Sequence, residues 1–225
     1  MNKLFADGRI KGGARHLLAL VAGLACISAC HRPREADPAK FRVIADRMAN
    51  NVPAPVAVPT CKPEELVGAP MTRRTLLQID NRELEKIPEL SDWMNPTELD
   101  APAARVLVDP AADETAKRRA TAELFAAPAY LIYRLDMIAA PIALGVRDLK
   151  IGTIGGRLIR YDKAGAPVCV VLFTFQNDKE KSDMAIARSR AAAVVDPEVA
   201  KEMRDDLHEQ YLKNAPRPVA PTIDH

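Results

Sequence analysis

Val168-Cys169-Val170-Val171-Leu172-Phe173-Thr174-Phe175 is the stretch that decides the fold. β-Branched and aromatic residues fill it, no charge interrupts it, and Pro167 stands at its entrance, so it reads as a strand. Residues of both parities are apolar, which predicts a central strand covered on each face. Just upstream, Asp162-Lys163-Ala164-Gly165 has the composition of a tight turn. Residues 156–161 alternate before it, so the two runs are expected to pair as an antiparallel hairpin.

Working outward, residues 130–138 and 149–154 also read as strands, and residues 71–79 have a β-leaning composition. After Gln176-Asn177-Asp178 the period changes. Ser182 is placed to cap a helix carrying Met184, Ala187, Ala191 and Val194 on one stripe. Asp196-Pro197 opens a second helix in which Val199, Met203, Leu207 and Tyr211 recur every fourth residue. Earlier in the chain, residues 82–90 and 111–127 have helical composition, and residues 91–110 are broken by Pro96, Pro102 and Pro110. Strands followed by helices define an α+β class: a small antiparallel sheet of about four strands with helices, including a C-terminal helix pair.

The two ends of this body read differently. Asp37-Pro38 caps a short helix with Phe41, Ile44 and Met48 on one side, ending by Asn50-Asn51, and Pro53, Pro55 and Pro59 then predict an extended spacer. Residues 30–59 are therefore expected to form a stalk, with docking of its short amphipathic helix on the body left open, and residues 60–215 a single domain. Pro216, Pro218 and Pro221 predict a disordered tail over 216–225.

At the start of the chain, Lys3, Arg9, Lys11 and Arg15 outweigh Asp7, and an uncharged run from Leu17 to Ala29 follows. That run is shorter than the ~20 apolar residues a membrane helix needs and has the form of a secretory signal. It ends in Ile27-Ser28-Ala29-Cys30, which resembles the lipobox of bacterial lipoproteins. The resemblance implies diacylglycerol on the Cys30 thiol, cleavage by signal peptidase II before it, and a mature protein held at an envelope membrane by its lipid, facing the periplasm. Stable anchoring takes more than one acyl chain, and maturation in that class supplies two or three. Cys26 is the competing site, but Gly23 stands where its aliphatic residue should be. A plain secretory signal cut after Ala29 and an uncleaved anchor are the alternatives. His31, in place of Asp, resembles cargo passed on to the outer membrane rather than retained at the inner.

The whole chain carries a formal charge of +2, and residues 1–29, with four basic residues against one acidic, account for more than all of it, so the remainder is near neutral. A basic face for nucleic acid is not expected. Cys61 and Cys169 are the thiols left after Cys26 and Cys30 are assigned. In an oxidising compartment they are expected to form a disulfide, with two unpaired thiols as the alternative.

The usual catalytic patterns do not assemble. Ser91, Ser182 and Ser189 lack a nucleophile-elbow setting, and His31, His208 and His225 stand apart, so a serine triad is not expected. His208-Glu209 has no second histidine at helical spacing for zinc. Gly152, Gly155 and Gly156 beside Arg157 resemble a phosphate cradle but lead into a strand rather than a helix. Asp136, Asp148, Asp162 and Asp178 would serve glycosidase-like acid and base work only if they met at one end of the sheet. Trp93 is the sole tryptophan and a candidate contact anchor. No cofactor or metal site is read. The expected function is a non-catalytic binding or scaffolding lipoprotein with an envelope protein partner; the alternative is a membrane-tethered periplasmic hydrolase using a carboxylate pair.

Overall fold

The computed structural model describes residues 35–54, 56–81, 96–144, 148–191 and 197–219. The leader with Cys26 and Cys30, His31, the helix expected over 82–90, Trp93, Val194, Asp196 and His225 lie outside them. The described residues from Glu35 onward belong to one compact unit.

Its centre is a four-stranded sheet in the order β1-β2-β5-β6, made of β1 (Ala69–Thr72), β2 (Tyr130–Ala139), β5 (Thr153–Tyr161) and β6 (Pro167–Gln176). The 156–161/168–175 hairpin is present, with Leu158 opposite Val171 and Gly156 opposite Phe173. The protein is thus an α+β fold in which β2, β5 and β6 are antiparallel. The sheet as a whole is mixed, because β1 runs parallel to β2 from Ala69↔Tyr130 to Thr72↔Tyr133. Parallel neighbours need a long crossover. Here it contains α2 (Arg73–Ile79), α3 (Pro102–Val108) and α4 (Glu114–Ala126). A separate pair, β3 (Ile142–Leu144) with β4 (Asp148–Lys150), takes up the front of the strand expected over 149–154. The chain breaks at Gly152, whose amide donates to Asn177 Oδ1 at 2.7 Å.

β6 corrects one expectation. It is an edge strand, and β2 and β5 are the interior ones, with Ile154 and Leu158 of β5 fully buried and Ile159 nearly so. Apolarity on both faces of β6 has a local cause: Cys169 and Phe173 enter one core and Val170 the other, while Leu172 is left 61% exposed.

The sheet is covered on both sides. On one face Tyr130, Ile132, Ile159, Tyr161 and Val170 pack with Leu76, Ala104 and Leu124 from the crossover helices. On the other, Leu131, Tyr133, Leu158 and Phe173 pack with Cys61, Leu66 and Leu99, and with Leu207 and Tyr211 of α6 (Pro197–Asn214). The expected four-residue spacing of α6 is its buried face, Val199, Met203, Leu207 and Tyr211.

The stalk expectation is overturned. α1 (Pro38–Asn50) is capped by Asp37 as expected, but Phe41 is completely buried. Its ring meets Phe125 and Tyr130 edge to face at 5.8 and 5.4 Å. The proline segment is a strap across the sheet: Tyr161 donates to Asn51 O at 3.3 Å, and Arg157 Nη1 donates to Pro53 O at 2.7 Å. Thr60 then bridges Val170 of β6, with Cys61 N to Val170 O and Val170 N to Pro59 O both at 3.0 Å. The folded body therefore begins near Glu35. The tail is also shorter than expected. Tyr133 donates to Pro216 O and Val219 N to Leu66 O, so residues 216–219 pack on the body, and residues 220–225 lie outside the described ones.

Cys61 and Cys169 are bonded, with Cα atoms 4.9 Å apart and 108 positions between them. The bridge locks the end of the strap to β6. Two further expectations shift. The β-leaning run 71–79 is strand only to Thr72, whose hydroxyl accepts from Thr75 N at 3.3 Å and starts α2. The first C-terminal helix, α5 (Lys179–Ala191), begins before Ser182. The Asp178 carboxylate accepts from Lys181 N at 3.1 Å, and Ser182 Oγ turns back to Asp178 O at 2.6 Å.

Candidate interaction face

Among the described residues, the helical layer on the first face gives out past Arg134 and Arg157. Those two arginines stand directly opposite each other on β2 and β5, an arrangement that like charges disfavour. Asp136 resolves it. A bulge between Leu135 and Met137 lets its carboxylate take Arg157 Nε at 2.5 Å and Nη2 at 2.7 Å, and Arg134 Nε at 3.0 Å. Burial works against ionisation of Asp136, but the hydrogen bonds from Arg157 and Arg134 outweigh it and hold the carboxyl below its usual range. Burial also pushes the Tyr161 phenol up to about 12, against the opposing charges of Arg134 and Arg157.

Around this charged knot the surface turns apolar and open. Met137 is 48% exposed and Leu172 61%, and Thr174 and Gln176 are exposed beside them on β6. Val56, at the tip of the strap, is almost wholly in solvent.

The glycines read as a possible phosphate cradle have a packing role instead. Gly155 and Gly156 lie inside β5, where a Cβ on Gly156 would overlap the Arg134 carbonyl oxygen and come within 2.8 Å of the Phe173 ring. A Cβ on Gly152 would come within 2.5 Å of Leu207. Arg157, their neighbour, is committed to Asp136 and Pro53 O.

Of the four carboxylates, the three whose side chains are described do not converge. Asp136 is bound by arginines, Asp178 caps α5, and Asp162, at the opposite end of β5, accepts from Ala164 N and Ala166 N, each at 2.9 Å, within its turn. The side chain of Asp148 lies outside the described ones. His208 is half-buried in an open groove of about 460 Å³ with Glu98, Asp205, Glu209, Lys213 and Arg217. Among the described residues no group of three His, Cys, Asp or Glu side chains is placed to hold a metal ion. A second open groove, about 490 Å³, lies between Asp46, Arg47 and Asn50 of α1 and the turn at 164–166.

Arg134 escapes sequence reasoning, although Arg134-x-Asp136 inside an otherwise apolar strand is a signal for a same-face charge pair. The strap residues escape it too, because their role depends on carbonyls meeting side chains remote in sequence.

Compared with known proteins, the chain matches no protein-family model, no curated sequence and no solved structure.

Proposed function

We propose that this chain is an exported envelope lipoprotein, anchored through a lipid on Cys30, whose folded part is a non-catalytic binding or scaffolding module for an envelope protein. The observation that carries the reading is the Cys61–Cys169 disulfide, a bond typical of oxidising compartments outside the cytosol. It agrees with the basic leader and with the lipobox-like Ile27-Ser28-Ala29-Cys30. In that class the lipid holds the protein at the membrane with its body facing the periplasm, and His31 points to the outer membrane as the destination.

The module reading rests on how the candidate catalytic side chains are used. Asp136, Asp162 and Asp178 each serve a local structural task. The surface that is not so committed is the open sheet face with Met137 and Leu172. A hydrolase using a carboxylate pair needs two acids facing one substrate, and the positions of Asp162 and Asp178 at opposite ends of the sheet weigh against that alternative.

Metabolic labelling with a fatty acid tests the anchor. The parent chain should incorporate label and Cys30→Ala should not. Label that persists in Cys30→Ala and vanishes in Cys26→Ala would move the anchor, and a parent without label would overturn the lipoprotein reading.

A further inference from the structure

We infer that β6 is the contact strand of a two-fold homodimer, in which the Leu172–Gln176 edges of two copies pair antiparallel about Thr174 and continue the sheet across both molecules. The inference is independent of the lipid anchor, since it rests on the edge itself.

Backbone alternation fixes which groups face outward. Val170 directs both its N–H and its C=O to the strap, to Pro59 O and from Cys61 N. With no register shift between Cys169 and Gln176, Leu172, Thr174 and Gln176 must direct theirs the same way. Among the described residues no backbone hydrogen bond reaches these three from outside the sheet. A row of such groups is completed by another extended strand.

Edge strands normally carry a protective charge, a proline or a bulge against pairing. From Cys169 onward β6 has none: its register shift lies at Val168, ahead of the free edge, and residues 168–176 contain no charged residue at all. A second copy therefore meets no like charge, and its edge presents the same donor and acceptor pattern. A two-fold axis makes such a patch self-complementary.

The strap sets the register. Its bridge at Val170 blocks pairing beyond that residue, leaving a free edge centred on Thr174. With the axis there, Thr174 faces its own counterpart, and Leu172 faces Gln176 of the partner in both directions. Cross-strand Thr–Thr pairs are favourable, and the partner strand would cover the exposed side of Leu172.

The test is the solution mass of the detergent-solubilised full chain, measured by light scattering for the parent, Thr174→Lys, Thr174→Asp and an equal mixture of the two variants. Thr174 is exposed, so neither variant disturbs the core, and melting curves verify that they fold. The parent should have twice the protomer mass. Each variant alone should lose that doubling by placing like charges face to face across the axis, and the mixture should regain it. A monomeric parent overturns the inference. So does a dimer that survives both substitutions, or a mixture of monomeric variants that fails to re-form it.

Discussion

Arg157 and Asp136 meet through two parallel hydrogen bonds, Nε to Oδ2 at 2.5 Å and Nη2 to Oδ1 at 2.7 Å, with only 9% of the arginine side chain exposed. The pair lets two arginines share one face of an otherwise apolar sheet, and it anchors the strap, because the same guanidinium holds Pro53 O. Asp136→Ala would leave that buried cation facing Arg134 without the Asp136 carboxylate between them. Breaking a buried pair costs about 3–5 kcal/mol, and because a third of the Asp136 side chain is in water a loss of about 2 kcal/mol is expected. Arg157→Met added to Asp136→Ala should recover part of it, since the buried charge that lost its Asp136 partner is then gone. Urea unfolding of the single and double variants measures both. A single variant within about 0.5 kcal/mol of the parent, the usual range for surface changes, would refute the role given to the pair.

Phe41 is the keystone of the N-terminal helix against Phe125 and Tyr130. Emptying its site should cost about 3–5 kcal/mol, as for a buried aromatic truncated to alanine. Phe41→Ala is therefore expected to melt well below the parent, and limited proteolysis of the parent should spare residues 35–54. Early cleavage between Asn50 and Thr60 that leaves cooperative melting unchanged would restore the view of this region as a stalk.

These two sites mark where the sequence is readable. The spacing of Val199, Met203, Leu207 and Tyr211 predicts both α6 and its buried face, because a helix with a single apolar stripe has one way to pack. The Phe41, Ile44 and Met48 stripe predicts α1 equally well but not its destination. The socket that receives it is built from Phe125 and Tyr130, far along the chain. β6 is legible as a strand and misleading as to place: its apolar residues divide between two cores, and Leu172 belongs to neither. The cap at Thr72 is hidden by the β-leaning residues around it. On the candidate face, Arg157 is visible as a residue, while its partners are set by the bulge after Leu135, which no local pattern announces.

The Cys61–Cys169 bridge closes a loop of 108 positions, and constraint of the unfolded chain by such a loop is worth about 4–5 kcal/mol. The double variant Cys61→Ala/Cys169→Ala should melt roughly 10 °C or more below the parent, given the 2–4 °C per kcal/mol expected for a protein of this size. On the lipoprotein reading it should remain in the membrane fraction, because attachment depends on Cys30. Quantitative thiol labelling of the unreduced, denatured parent at Cys61 and Cys169 would contradict the bridge.

Gly156 lies where β5 passes the bulge of β2, and an added Cβ would meet the Arg134 carbonyl and the Phe173 ring. Backbone cannot yield as a flexible side chain does, so Gly156→Ala should cost about 1–3 kcal/mol, the range for overpacking. Gly165→Ala is a useful contrast. That glycine has φ +82°, in the left-handed region that costs an alanine roughly 1–2 kcal/mol, and it lies in a turn rather than the sheet. If the sheet reading is right, chemical shifts should move across β2 and β5 in Gly156→Ala and stay near residues 162–166 and α1 in Gly165→Ala. Changes confined to the glycine's own neighbours in both variants would count against the close approach at Arg134.

Asp100 gives the fold a pH dependence of unusual sign. The residue is 4% exposed, and its carboxylate accepts from Thr75 Oγ1 at 2.6 Å and from Thr72 N. Burial raises its pKa despite the opposing hydrogen bonds from Thr75 and Thr72 and the charge of Arg105. Asp136 and Asp206 are shifted the other way. In each, burial is outweighed: by Arg157 and Arg134 for Asp136, and by Lys181, Asn177 and the Asp178 amide for Asp206. A lowered folded pKa contributes stability that is complete above the ordinary carboxylate value and is lost as pH falls through the folded one. A raised folded pKa does the reverse: the native state holds the proton more tightly, so its contribution is full below 3.8 and is lost as pH rises through the folded value. Stability should therefore climb out of strong acid as Asp136 and Asp206 ionise, then decline as Asp100 gives up its proton inside the core. Asp100→Asn can still accept from Thr72 N and donate to the Thr75 hydroxyl, and it does not titrate, so it should keep the acid limb and remove the decline above it. Unfolding free energies of parent and variant from pH 3 to pH 7 decide the matter. A decline of equal size in both proteins would mean that some group other than Asp100 is responsible.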